Sequence, residues 1–362
     1  MTVGWYVHHH GAGHLHRFLA VRELVGERVV GLGSGGRPAG VEDDAWLALP
    51  SDVPTGPPED PGAGGALHWA PLRAPDAGRR TARIARWVER DRPRAIVVDV
   101  SVEVAVLARL LSVPVVVVAQ RGVRRDVPHR TGFAVASAVV APWTRATHAA
   151  SDLPTGVEPV LCGAMSRFDD RERPAPPRRP RTGTTDVLLL VGSGGHALRA
   201  EDVRAAAAAT PDARWHVAGA LRTGDGPGLV DHGPRADVWA LLSRCDVVVG
   251  TAGGNVVAEV AAARRPLVLL PQERPFGEQL RQAELLARAG LATALDAWPA
   301  AAEWPAILDG AVARGGEAWG LHHDGRGAER MAATIRRVAD GDGTAADLPP
   351  GGRRAGVPSP GA

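Results

Sequence analysis

Short runs of Val, Leu and Ile recur along the chain, each closed by glycine or polar residues and followed by an Ala-, Leu- and Arg-rich stretch with helical spacing. These runs predict strands at 3–7, 28–32, 95–100, 113–119 and 137–141, and again at 185–191, 213–219, 245–250 and 266–271. Strands apolar on both faces and separated by helices belong to parallel sheets covered on both sides. The pattern occurs twice, so two doubly wound α/β domains are expected. At 362 residues the chain also exceeds the usual size of one hydrophobic core.

Between the two series lies "DDRERPAPPRRPRTGTT" (169–185), dense in Pro and Arg and without periodicity, which predicts an exposed linker. The expected organisation is an N-terminal domain over 1–168, the linker over 169–185, a C-terminal domain over 186–340 and a tail over 341–362. The tail has too little apolar surface to order itself. A second Pro/Gly stretch at 50–65 has strands on both sides and reads as a long surface loop.

Composition then narrows the class. Hydrophobic residues make up 45% and charged residues 23%, a balance that supports large cores. The 42 basic residues, all of them Arg, stand against 40 acidic ones, so a net charge of +2 offers no field to draw nucleic acid. Cys162 and Cys245 are far apart and adjoin apolar runs, which suits small buried hydrophobes of a reducing compartment better than a disulfide or a zinc site. No signal-like segment opens the chain, and no run approaches the ~18 apolar residues of a membrane span. The cytoplasm is the expected compartment.

In open α/β sheets ligands bind beyond the carboxyl ends of the strands, and four strand ends hold the candidate chemistry. The first strand runs into "HHHGAGHLHR" (8–17), five histidines and two glycines in ten positions. A helix is expected from about Gly13, with His14 in its first turn either as a general base or as a residue that packs in the turn. Alternation puts His8 and His10 on one strand face and His9 on the other, while His14 and His16 diverge on the helix. No three of them therefore converge on a metal by local geometry. At the end of "AIVVDV" (95–100), Asp99 either caps the helix expected from Ser101 or accepts the proton of a histidine across the crevice. Glu103 reads as a first-turn charge that favours the helix dipole.

The third strand end is "LLLVGSGGHALR" (188–199), where Gly192, Ser193, Gly194 and Gly195 present unobstructed N–H groups suited to phosphate oxygens. His196 faces either the same anion or water. The fourth is "CDVVVGTAGGNVVAEVAAARRPLVLLPQERPFGEQ" (245–279), where Thr251, Gly253, Gly254 and Asn255 lead into a helix N-terminus with unpaired N–H groups and about half a positive charge. A diphosphate fits there without a metal. Glu259 offers two oxygens to the hydroxyls of a ribose, and Glu278 with Gln279 suits the hydroxyls of a sugar ring. At another strand end, "QRGVRRDVPHR" (120–130) supplies Arg121, Arg124, Arg125 and His129, for an anionic acceptor or as a solvated loop.

Together these segments resemble the nucleotide-sugar glycosyltransferases of the GT-B fold. "GAGHLHRF" (11–18) looks like the N-terminal Gly-x-Gly-His turn of that superfamily, which implies His14 as catalytic base. "AIVVDVSVEVAVLA" (95–108) looks like the strand whose final aspartate orients that histidine, which implies a His14–Asp99 pair. The stretch 245–286 is similar to the donor-binding segment of the lipid-linked N-acetylglucosaminyltransferase of peptidoglycan synthesis and of the UDP-glycosyltransferases. On that pattern Thr251, Gly253, Gly254 and Asn255 meet the donor diphosphate, Glu259 the ribose, and Glu278 and Gln279 the sugar. The likeness covers most of 1–340. It departs at the extra histidines 8–10 and at "VDHGPRADVW" (230–239), which matches the base-reading loop only loosely.

The resemblance implies two facing Rossmann-like domains, the N-terminal one for the acceptor and the C-terminal one for a UDP- or TDP-sugar. The activity implied is an inverting, metal-independent and cofactor-free transfer of a hexose-type sugar to a small-molecule or lipid-linked acceptor. No Asp-x-Asp pair stands at a strand end, which disfavours a metal-dependent transferase of the other common architecture. A nucleotide-sugar epimerase or hydrolase on this fold, and a catalytically silent binding or partner subunit, are the alternatives. In the peptidoglycan enzyme a basic-edged apolar patch meets the membrane. Here "GRRTARIARWVERDRPR" (78–94) offers Ile84, Trp87 and Val88 at helical spacing, for peripheral contact with the inner face of a membrane or, the favoured expectation, for burial against its own sheet.

Overall fold

The computed structural model describes residues 2–9, 11–53, 56–175, 183–192, 194–235 and 237–342. The first of its two sheets holds β1 (Thr2–Val7), β2 (Arg28–Gly33), β3 (Trp46–Ala48), β4 (Ala95–Asp99), β5 (Val115–Val118), β6 (Ala138–Ala141) and β7 (Val160–Leu161), in the order β3-β2-β1-β4-β5-β6-β7. The second holds β8 (Thr185–Val191), β9 (Ala213–Gly219), β10 (Leu229–Gly233), β11 (Val247–Gly250), β12 (Leu267–Leu269) and β13 (Thr293–Ala294), in the order β10-β9-β8-β11-β12-β13. Every neighbouring pair runs parallel. Around them lie α1 (Gly13–Arg22), α2 (Pro75–Asp91), α3 (Val102–Leu110), α4 (Val127–Ala134), α5 (Ala200–Ala209), α6 (Trp239–Leu242), α7 (Gly254–Ala263), α8 (Glu278–Arg288), α9 (Trp304–Arg314) and α10 (Gly327–Asp340).

Alternate strand positions feed opposite layers, as the pleat requires. In the first sheet Val3, Trp5 and Val97 pack with Phe18 of α1, whereas Tyr6, Ile96 and Val98 pack with Ile84 and Trp87 of α2. In the second, Leu188, Leu190 and Val248 meet Val257 and Val260 of α7, whereas Leu189 and Val249 meet Val203 of α5 and Leu308 of α9. Ile84 and Trp87 are 1% and 2% exposed, so the apolar stripe of 78–94 is spent on its own sheet and is not available to a membrane. Burial of a side chain such as Ile84 contributes roughly 1.5–3 kcal/mol. Among the described residues no helix is long and apolar enough to cross a membrane.

Two features differ from the sequence pattern. The strands it does not show, β3, β7, β10 and β13, are the four sheet edges. With a neighbour on one side only, they lack the doubly apolar run that marks a central strand. The last helix, α10, follows the second half in the chain but packs on the first sheet: Met331, Ala332, Ile335 and Val338 share a core with Val3, Trp5 and Val97. An amphipathic stripe fits any open sheet face, and the open face was on the other half.

Candidate active site

In each sheet the strand order reverses once, between β1 and β4 in the first and between β8 and β11 in the second. Helices leaving such a pair go to opposite faces and open a crevice at the carboxyl ends of the strands. The four strand ends singled out from the sequence belong to these four strands.

At the first crevice, His14 sits in the first turn of α1, and its Nδ1 lies 2.8 Å from Oδ1 of Asp99 at the end of β4. A carboxylate only accepts, so Nδ1 carries a proton and donates it to Asp99, which leaves Nε2 as the ring nitrogen turned away from the carboxylate. Asp99 is fully buried and also accepts from Arg17 Nη1 (2.6 and 2.5 Å) and Gln120 Nε2 (3.2 Å). Burial alone would push its carboxyl up, but Arg17 and then His14 outweigh it and hold Asp99 well below the usual carboxylate range. The cap of α3 is Ser101, whose hydroxyl accepts from Val104 N, so Asp99 does not serve as a cap. Between them Val100 sits at φ +66°, a β-branched residue in the left-handed region, which stores about 1–3 kcal/mol of strain beside the aspartate. Glu103 does more than sit in the first turn: it accepts from the N–H groups of His68 and Trp69 at 2.8 and 2.9 Å and so anchors the preceding loop.

At the second crevice the material is mostly backbone. Thr251 is buried, Gly253 is the N-cap of α7, and no side chain caps that helix. Gly250 is closely fitted here: a Cβ would come within 3.0 Å of Val256 and 3.2 Å of Leu190 O, and both would have to give by a few tenths of an ångström. After β8 come Gly192, Gly194 and Gly195; Ser193 lies outside the described residues. Arg274 Nη2 donates to the carbonyls of Gly194 (2.7 Å) and Gly195 (2.6 Å), and Gln272 Oε1 accepts from Ala197 N (2.7 Å). The loop after β12 is thereby tied to the loop after β8, across the strand end that carries α7. His196 Nδ1 is buried with no hydrogen-bond partner among the described residues. Gln279 is buried, with Oε1 on Gln272 N (3.0 Å), and Glu278 is partly exposed, 3.8 Å from Arg124.

The two crevices face each other. Asn255 Nδ2 lies 2.9 Å from His16 Nδ1, and one cavity is lined by Gly13, His16, Arg17 and Gln120 from one half and Asn255 and Glu278 from the other. Burial and the charge of Arg167 hold His16 at about 4, so its neutral ring accepts from the Asn255 amide. Glu259 is 5% exposed and pairs with Arg167 Nε at 2.8 Å; burial pushes its carboxyl up and Arg167 opposes this. Sequence reasoning missed both Arg17 and Arg167, whose partners lie 82 and 92 positions away.

Arg121 and Arg124 do not form a solvated loop. Arg121 is buried over Trp143 and donates to Thr147, while Arg124 donates to Arg121 O and covers the ring of Phe276 from the other half. Gly122, at φ +94°, lets Phe276 O approach where a Cβ would be 2.4 Å away. Arg125 is exposed. Of the extra histidines, His8 stacks on His9 and stands 5.6 Å ring to ring from His14; His10 lies outside the described residues.

Among the described residues one group brings three ligand atoms within metal reach: His68, Asp126 and His129. Its hydrogen bonds are already closed, with Asp126 accepting from His129 Nδ1 (2.7 Å) and His68 Nε2 (3.2 Å). Arg124 Nη1 stands 3.4 Å from His129 Nε2, and a resident guanidinium opposes a second cation. This donor set does not fit a metal.

No family model matches the chain. Solved structures resemble it over nearly its whole length. The glycotransferase of kitacinnamycin is 18% identical with a TM-score of 0.60, covering 95% of this chain and 96% of that one. MurG of Acinetobacter baumannii is also 18% identical at 0.60, covering 93% and 99%. A Listeria monocytogenes protein assigned as a UDP-N-acetylglucosamine 2-epimerase is 15% identical at 0.62, covering 93% and 96%. At these identities the likeness is one of fold. The chain has the GT-B fold of glycosyltransferases, two Rossmann-like α/β units with their crevices face to face.

Proposed function

We propose that the protein is an inverting glycosyltransferase that moves a hexose-type sugar from a UDP- or TDP-sugar to a hydroxyl of a small-molecule or lipid-linked acceptor. One observation carries this: helix α1 sets His14 on a buried carboxylate at one switch point and, two positions on, brings His16 Nδ1 within 2.9 Å of Asn255 at the uncapped N-terminus of α7 at the other. On this reading residues 1–168 bind the acceptor, 186–340 supply the donor site with α10 lent to the first sheet, 169–185 link the two, and the protein works in the cytoplasm.

His14 Nε2 takes the proton of the acceptor hydroxyl as that oxygen bonds to the anomeric carbon from the face opposite the leaving group. The bond from that carbon to the diphosphate oxygen breaks, and its electron pair stays with the diphosphate. The new imidazolium is held by Asp99. Backbone N–H groups at Gly253, Gly254 and Asn255, with the dipole of α7, stabilise the departing diphosphate. Thr251 and the turn of Gly192, Ser193, Gly194 and Gly195 complete its cradle. Glu259 holds the ribose, exchanging part of its contact with Arg167, and Glu278 and Gln279 hold the sugar. The reading gives no role to a metal or cofactor.

Thermal unfolding with UDP, TDP, GDP and their sugars, each with EDTA present, tests the donor site. A ligand at ~100 times its dissociation constant adds about 2.7 kcal/mol to the state that binds it. A clear shift with a UDP or TDP compound is expected; no shift with any overturns the donor reading. A second reading has a specific basis in the epimerase neighbour, whose TM-score is 0.62. Epimerised or free sugar formed from the donor in acceptor-free buffer would move the reaction to that class.

A further inference from the structure

Arg17 stands three positions after His14 on α1, on the same side of the helix. Its Nη1 reaches both oxygens of Asp99, and one of these also receives His14 Nδ1 and Gln120 Nε2. Asp99 has no exposed surface, and the side chain of Arg17 is 15% exposed. A carboxylate buried this deeply without a cation either protonates itself or draws a proton onto the neighbouring imidazole. In the first state it accepts from His14 only as a neutral carbonyl oxygen and no longer stabilises an imidazolium; in the second His14 already holds the proton it must take from the acceptor. A guanidinium on the same carboxylate removes both outcomes.

We propose that Arg17 is a positioning residue for the proton transfer: it keeps Asp99 a carboxylate with both oxygens fixed, so that His14 waits neutral with Nδ1–H on Asp99 and Nε2 toward the acceptor. This rests on the reading of His14 as the base.

The other ionisable groups around the pair leave this task to Arg17. His8, at the end of β1, presents its ring edge-on to His14, with His9 stacked on it. His16 of α1 is neutral, and so is His322 across the cavity, held at about 3 by burial and then by the charge of Arg121. The Cys162 thiol after β7 is pushed up to about 11 by burial and carries no charge. Arg121, after β5, is turned to Thr147 and Trp143. Arg167 is paired with Glu259, and Glu278 lies nearest Arg124. Among the described residues Arg17 is the cation in hydrogen-bond contact with Asp99.

The test is a titration of the His14 imidazole by NMR in the full chain, its resonance assigned by its loss in His14→Gln, alongside the pH profile of kcat. Arg17→Met removes the charge and keeps much of the stem. It is expected to move the His14 titration and the acid limb of kcat up by about one pH unit or more, with the donor KM unchanged. Arg17→Lys restores the charge and is expected to bring both back. Arg17→Gln, which keeps a donor for Asp99, serves if Arg17→Met does not fold, and the same upward shift is expected. An imidazole titration that stays in place in a charge-removed variant with the native melting temperature overturns the proposal. The NMR readout does not depend on turnover. A moved titration with an unmoved rate profile therefore supports the hold of Arg17 on Asp99 and overturns His14 as the base, so the two failures are told apart.

Discussion

The two switch points are built from different material. At the first, four side chains, His14, Arg17, Asp99 and Gln120, close a network around one buried carboxylate. At the second, glycine turns and an uncapped helix supply backbone groups, and the side chains brace the loops from behind, as Arg274 does at Gly194 and Gly195. The contrast matches two chemical tasks. Taking a proton at one atom needs an ionisable ring with a fixed tautomer, whereas a diphosphate spreads its charge over several oxygens that many N–H groups can meet. A site of the first kind is vulnerable at single atoms; a site of the second kind is vulnerable where the chain must bend.

The largest effect should come from the first switch point. His14→Ala is expected to lower turnover by a factor on the order of 10²–10⁴ while leaving the donor-induced thermal shift in place. Near-native turnover would break the contrast, since the first crevice would then hold no chemistry. At the second, Glu259→Ala should weaken nucleotide affinity by about tenfold, roughly 1.4 kcal/mol, with turnover at saturating donor largely kept. Calorimetric titration of the nucleotide reads this directly, and an unchanged affinity removes the ribose role.

Acid should separate the halves by a smaller margin. Burial holds His16 and His129 at about 4 and His322 at about 3, against an ordinary value of 6.5. An unfolded imidazole takes up its proton first, so their contribution is fully present above about pH 6.5 and is lost as pH falls toward 4 and 3. His16 lies on α1 and His129 on α4, both beside the first sheet, and His322 reaches Thr147 of that half at 3.1 Å from a turn whose Trp319 packs in the second core, so two of the three lie wholly on the side of the first sheet. Hydrogen exchange at pH 5, corrected to its rate at pH 7, is expected to show β1 to β7 losing protection before β8 to β12. Equal loss in both sheets would dissolve this difference.

The sequence made the second switch point more legible than the first. Thr251, Gly253, Gly254, Asn255 and Glu259 lie within one strand–turn–helix unit, so their mutual placement follows from local geometry. His14 and Asp99 stand on separate elements 85 positions apart, and strand ends alone left Asp99 open between capping α3 and meeting a histidine. Ser101, a strong N-cap residue two positions on, was the signal that the cap was already supplied. The strain at Val100 left no such signal, because nothing in a valine announces a positive φ.

By itself, the sequence determined two parallel sheets, their central strands and the glycine turns beyond them. These rest on period, branched side chains and backbone freedom, which act over a few residues. Only the tertiary structure decided that Arg17 shares Asp99 with His14, that Arg167 covers Glu259, and that α10 returns to the first sheet. Each of those joins residues that no local rule relates. A charge or an apolar stripe states that it needs a partner, and which partner it meets depends on which faces and carboxylates remain open once the sheets have formed.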